Sequence, residues 1–156
     1  MGRNGIVKKI VLGVIAALLL SGTVWAADSG SVAVEVLSRT GSSWDGDMLP
    51  AYPTGKAEIT ILKIIIPAGV KLPRHRHPVI NAGVLLRGEL TVVTDEGKTL
   101  HLKAGDSLVE VVNRWHYGVN EGSVAAEIIV FYAGTPGCPI TVKDEGAVPP
   151  GDTGTD

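Results

Sequence analysis

The chain has a single cysteine, Cys138, so no disulfide can form within it even in an oxidising compartment. A lone thiol could pair between chains or bind a metal. Its setting, Pro136-Gly137-Cys138-Pro139, reads more simply as a turn with a small, partly buried residue. Basic clusters are absent, as is any alternation of aromatic with basic residues, and the net charge is −2. Nucleic acid and anionic membrane surfaces are therefore not expected partners. No segment after the N-terminus repeats its apolar residues at helical spacing, which argues against a helical fold. A phosphate-cradling glycine loop and a dinucleotide fingerprint are missing, and spacing supports no Ser/His/Asp triad.

The N-terminus follows a different pattern. Arg3, Lys8 and Lys9 precede the apolar run Ile10 to Leu20, which is short for a bilayer span, and Ser21 to Ala27 then turns small. This predicts a signal peptide over residues 1–26, cut after Ala26, and export to the periplasm or beyond. The alternative is an uncleaved anchor helix, which the short apolar core disfavours. Cleavage would leave 130 of the 156 residues, with no stable membrane insertion. Losing three positive charges would move the net charge from −2 to −5. Without disulfides, such a domain must be held by its core, helped by oligomerisation or metal.

The remaining apolar residues come in short runs separated by Gly, Pro, Asn and Asp. Strands are predicted over Val32–Leu37, Glu58–Ile66, Ala82–Leu86, Glu89–Thr94, Thr99–Leu102, Ser107–Val112, Trp115–Val119 and Ala125–Tyr132. Isoleucine on both faces of Glu58–Ile66 suggests a strand buried on both sides. Asp95-Glu96-Gly97 marks a hairpin. The organisation expected is an N-terminal strand and packing loop over 27–57, with Trp44, Met48, Leu49 and Tyr52 on the loop. A barrel core over 58–133 follows, then an extension and flexible tail over 134–156. Many short strands without helices indicate an all-β sandwich or barrel in one domain.

Three of the four histidines are placed suggestively. His75 and His77 are two residues apart, so on extended backbone both imidazoles face one side while Arg74 and Arg76 face the other. Two neutral imidazoles at that spacing make a natural pair of metal ligands. A lone pair of this kind is a weak signal, and exposed loop histidines are its bland alternative. His116 lies well downstream. His101 sits on a strand without partners and reads as solvent-facing.

These residues fall into a wider pattern that resembles the cupin family, whose two motifs are G-x5-H-x-H-x3,4-E-x6-G and G-x5-P-x-G-x2-H-x3-N. Gly69, His75, His77 and Gly88 occupy the first in register, and Gly105, His116 and Asn120 the second. The resemblance covers about residues 59–132. It implies a cupin-type jelly-roll β-barrel, a divalent metal held in the cavity by His75, His77 and His116, and, as a family expectation, a homodimer. The sequence does not distinguish iron, zinc, manganese, nickel or copper as that ion.

The departures carry information. Asn81 stands where the pattern has glutamate, so a metal would meet three neutral histidines and at most a weak or outer amide. Affinity for hard cations should fall accordingly. Glu89 and Glu110 lie on or near the relevant strands, but no pattern aims either inward. Val111 replaces proline, and Asn113 replaces glycine at a turn that asks for positive φ, which asparagine tolerates. Asn120 reads as a turn-ordering residue. Gly83 and Leu85 share parity with Asn81 and are expected to line the cavity, making it largely apolar. Trp115 and Tyr117 flank His116 and read as packing residues, and Arg87 as a surface residue.

The function implied is metal-dependent work on a small molecule. An oxygen-using dioxygenase comes first, since some cupin dioxygenases are built on three histidines, and a zinc lyase, isomerase or hydrolase second. The alternative is a non-enzymatic module that binds or senses a metal or small molecule. A structural envelope protein is a third reading, which would show a large exposed apolar patch and no metal.

Overall fold

The computed structural model describes residues 30–146. The segment read as a signal peptide and the last ten residues lie outside the described residues. Among the described residues the ordered elements are β1 (Glu58–Ile66), β2 (His75–Arg76), β3 (Ile80–Arg87), β4 (Glu89–Thr94), β5 (Thr99–Lys103), β6 (Ser107–Val109), β7 (His116–Val119), β8 (Ala126–Gly134) and β9 (Val142–Lys143).

Strand pairing is nested. β4 pairs with β5, β3 with β6, β2 with β7 and β1 with β8, all antiparallel. One long hairpin, turned at Asp95–Gly97, has thus been rolled onto itself. The result is two sheets, ordered β1-β8-β3-β6 and β5-β4-β7-β2-β9. This is the jelly roll that the sequence led us to expect.

Side chains alternate between core and solvent along each strand. β8 alternates most regularly, burying Ala126, Ile128, Val130 and Tyr132. These meet Ile66, Leu85, Leu90, Val92, Leu102 and Leu108 in one apolar core. Complete burial of a side chain such as Leu85 contributes about 1.5–3 kcal/mol.

The structure differs from the sequence expectation in several places. β1 is buried on one face only: Leu62, Ile64 and Ile66 turn inward, while Ile59, Ile61 and Ile65 are more than half exposed, with Phe131 beside them on β8. No layer covers that outer face among the described residues. Residues 32–37, expected to form a strand, are exposed and have no regular structure: alternation of Val32, Val34 and Val36 makes no strand where no ladder pairing forms. Conversely, Val142 and Lys143 form β9 at the sheet edge, and the Asp144 N–H donates to the Arg74 carbonyl. The loop before β1 contributes Trp44 to the core, whereas Met48 and Tyr52 are exposed.

Two turn glycines show what the roll demands. Gly88 links β3 to β4 at φ 75°, and a Cβ there would lie 2.8 Å from the Ala125 carbonyl oxygen and 2.9 Å from Ala126 Cα. Gly97, in the β4–β5 hairpin at φ 83°, has open space around it. Gly97→Ala should cost about 1–2 kcal/mol for its left-handed backbone alone. Gly88→Ala adds a clash with backbone and should cost clearly more, about 3 kcal/mol or above. Urea denaturation of the two variants checks the order; equal losses would contradict it.

Candidate metal centre

The cavity between the sheets has a volume of about 290 Å³. Its wall is mostly aliphatic, from β1, β4 and β8, and its polar groups gather at one side: His75, His77, His116, Asn81, Glu110, Tyr132 and Thr141. The two sheets and the C-terminal extension all contribute to that cluster.

β2 brings the histidines together. His75 lies directly opposite His116 of β7, and His77 follows two residues on, bridged to Val112. Ring centroids are 4.5–5.1 Å apart, and one nitrogen from each ring falls within 4.8 Å of the others. His77 and His116 are buried, and His75 is partly so.

The other nitrogens decide what the cluster can do. Nδ1 of His75 lies 2.7 Å from the Pro73 carbonyl oxygen, Nδ1 of His77 2.8 Å from that of Ile140, and Nδ1 of His116 2.9 Å from that of Arg114. A carbonyl oxygen only accepts, so the proton of each neutral ring belongs on Nδ1 and the Nε2 lone pair is left for the cavity. Burial pushes the pKa of His77 down to about 3, and lowers that of His75 too, against the pull of their carbonyl partners. Both rings are therefore neutral near pH 7. Three preoriented Nε2 donors fit a divalent transition metal, and backbone carbonyls fix their orientation as outer partners do in metal sites.

The remaining expected residues divide. Asn81 lines the cavity and is 3 % exposed, its amide reaching only the Val79 carbonyl at 3.5 Å. Gly83 and Leu85, expected beside it, are not among the lining residues. Leu108 and Val130 fill the space over Gly83, and Leu85 is fully buried in the core. Asn113 takes φ 58°, the positive value expected of it. Asn120 is fully buried and structural: its amide donates to the carbonyls of Ile66 and Val124 and accepts from Gly122 N–H. Trp115 carries the guanidinium groups of Arg74 and Arg76 on its ring, and Tyr117 the ammonium of Lys71. Arg74 also bonds Asp95 and Asp144, tying the C-terminal extension over the site.

Glu110 is what sequence reasoning missed. It is 6 % exposed and lines the cavity. Its Oε1 accepts hydrogen bonds from Trp44 Nε1–H at 2.8 Å and Val111 N–H at 2.9 Å, and its Oε2 lies 3.8 Å from His116 Nε2. The available signal was parity with Leu108, which faces inward two residues earlier. Trp44 is held in turn by its N–H to Val109 O, while Arg114 grips Asp47 and Glu96 on either side. Tyr132 meets His77 edge-on at 5.4 Å. Burial, and next the charge of Glu110, push its pKa up to about 12, so its hydroxyl stays protonated.

If the Trp44 indole positions Glu110, Trp44→Phe should destabilise the fold by about 1.5–3 kcal/mol, the range for a hydrogen bond to a charged acceptor. A double-mutant cycle with Glu110→Gln measures the coupling by chemical denaturation. Losses that simply add would show that the bond contributes nothing.

Residues 62–132 match the family model of the cupin domain. No curated protein matches the chain. Among solved structures, the DMSP lyase DddQ of Ruegeria pomeroyi DSS-3 is 21 % identical, with a TM-score of 0.50 over 57 % of this chain and 45 % of that one. An oxalate oxidase in complex with the substrate analogue glycolate is 23 % identical, with a TM-score of 0.45 over 53 % of this chain and 45 % of that one. A cupin 2 conserved barrel domain protein from Salinispora arenicola CNS-205 is 21 % identical, with a TM-score of 0.44 over 54 % and 70 %. The chain spans less than half the length of the lyase and oxidase chains. At such identities the likeness is one of fold. Nested strand pairing, the two histidine motifs in register and the family match together identify residues 62–132 as a cupin domain.

Proposed function

We propose that the protein is an exported metalloprotein acting on a small molecule in the barrel cavity. Oxygen-dependent oxidation is the first activity to test, and lyase, isomerase or hydrolase chemistry on zinc the second. The observation that carries the reading is the convergence of three Nε2 donors whose Nδ1 protons are all tied to backbone carbonyls. His75, His77 and His116 would hold the ion, with Asn81 a weak or outer contact. Such an ion would supply Lewis-acid polarisation or, if redox-active, electron transfer.

The chain's own residues would do the rest. Leu62, Ile64, Leu72, Leu90 and Val92 exclude water and bind the apolar part of a substrate. The protonated Tyr132 hydroxyl can donate a hydrogen bond to a substrate oxygen. Lys143 lines the mouth and would favour a substrate with an anionic group. A cavity of about 290 Å³ restricts that substrate to a small molecule.

The mainly aliphatic wall also supports a second reading, a non-catalytic barrel that binds a small apolar ligand. The exposed face of Ile59, Ile61, Ile65 and Phe131 answers half of what an envelope-interaction protein would show, or marks where a second copy would pack. The histidine cluster speaks for metal in either case.

Metal analysis of the purified mature protein should find close to one ion per chain, and His75→Ala/His77→Ala should lose it. Iron together with substrate-dependent oxygen uptake would establish the oxygenase; zinc would redirect the assays to bond cleavage. No metal in either form, even after reconstitution, would leave the ligand-binding barrel as the better account. Export has its own test: N-terminal sequencing of protein recovered outside the cytoplasm should begin at Ala27, and a start at Met1 would refute cleavage.

A further inference from the structure

Glu110 presents a problem of charge. It is a buried carboxylate, and no Lys or Arg among the described residues lies within ion-pairing distance of it. Its hydrogen-bond donors are neutral: the Trp44 indole and the Val111 amide, both on Oε1. A desolvated charge without a counter-charge is costly, and folds retain one where something else neutralises it. Oε2 is turned to the histidine cluster, 3.8 Å from His116 Nε2. Two atoms each about 2.1 Å from one ion are separated by roughly 3–4.2 Å, according to the angle between them. The Glu110–His116 spacing falls in that range, and the three histidine nitrogens, within 4.8 Å of one another, would draw in slightly around an ion.

Asn81 presents the complementary problem. It occupies the position where the motif has its acid, yet its side chain can bring no charge to the cavity. The two residues are cross-strand neighbours, since Glu110 N–H donates to the Asn81 carbonyl at 3.0 Å. Carboxylates at both positions would share one desolvated pocket and repel. A single acid is therefore preferred, and this chain carries it one residue past the end of β6, the strand paired with β3.

We propose that Glu110 is the anionic ligand of the metal centre, completing a set of three imidazoles and one carboxylate, with the acid relocated from the Asn81 position. This rests on the three-histidine metal reading above. Trp44 and Val111 hold Oε1, so Oε2 is the ligand atom. The relocated charge restores affinity for harder divalent ions, which three neutral imidazoles alone would bind poorly.

The test uses the mature protein, with cobalt and zinc as probes and a chromophoric chelator as competitor. Glu110→Gln keeps the shape and an oxygen for Trp44 and Val111. It should weaken cobalt binding tenfold or more and change the cobalt visible spectrum, while its circular dichroism stays that of the wild type. Asn81→Glu/Glu110→Gln, which returns the acid to the motif position, should recover most of the affinity. A measurement without mutation guards against misfolding: on adding zinc to the wild type, infrared difference spectra should show a carboxylate stretch shifting. Wild-type binding with no carboxylate shift, or with Glu110→Gln matching the wild type in affinity and spectrum, overturns the proposal and leaves the three-histidine centre standing. Failure of the wild type to bind cobalt or zinc at all overturns both.

Discussion

Pairing strands that are far apart in sequence is the constraint on which everything else in this molecule depends. β1 must find β8 and β2 must find β7 before either sheet exists. Each pairing closes a long loop, whose entropy cost is recovered only when the aliphatic faces of both sheets meet. No disulfide assists, since Cys138 stands alone. Glycine acts where the path turns most sharply, and at Gly88 the neighbouring strand comes too close for any side chain. The site is a product of the same closure. His75 and His116 meet because β2 and β7 pair, and His77 is oriented by a carbonyl from the C-terminal extension.

Once the roll is closed, polar groups inside it have few partners, and backbone supplies most of them. Three carbonyls hold three imidazole N–H groups, and Trp44 with the Val111 amide holds one oxygen of Glu110. What is left unheld points one way. The Nε2 lone pairs and Glu110 Oε2 converge on a volume walled by aliphatic side chains, where a cation would be stabilised far more than in water. The loop bearing Trp44 and the extension bearing Ile140 and Thr141 are thus parts of the site, although both lie outside the main strands.

Much of this was legible in the sequence for a physical reason. Short apolar runs bounded by turn residues located β1 and β4 to the residue, and the i, i+2 spacing of His75 and His77 put both rings on one side. Positive φ at Asn113 followed from turn chemistry. The failures are equally physical. β2 and β9 are two residues long and exist only through tertiary pairing, so no local pattern announces them. The Val32, Val34, Val36 alternation carries a strand signal, but strands need neighbours. Glu110 was hidden because β6 ends at Val109 and both Glu110 and Val111 are buried, which breaks the alternation just where direction mattered. Gly83 and Leu85 have the parity of Asn81, but parity gives a side and not a depth, and the cavity does not extend to them.

The central claim is that this cavity is built around one cation. Anomalous diffraction from crystals of the mature protein, recorded at the absorption edge of the metal supplied, tests it most directly. The account predicts one strong peak within bonding distance of Nε2 of His75, His77 and His116 and of a Glu110 oxygen. A peak elsewhere, or a cavity filled only by water or an organic molecule, would contradict it.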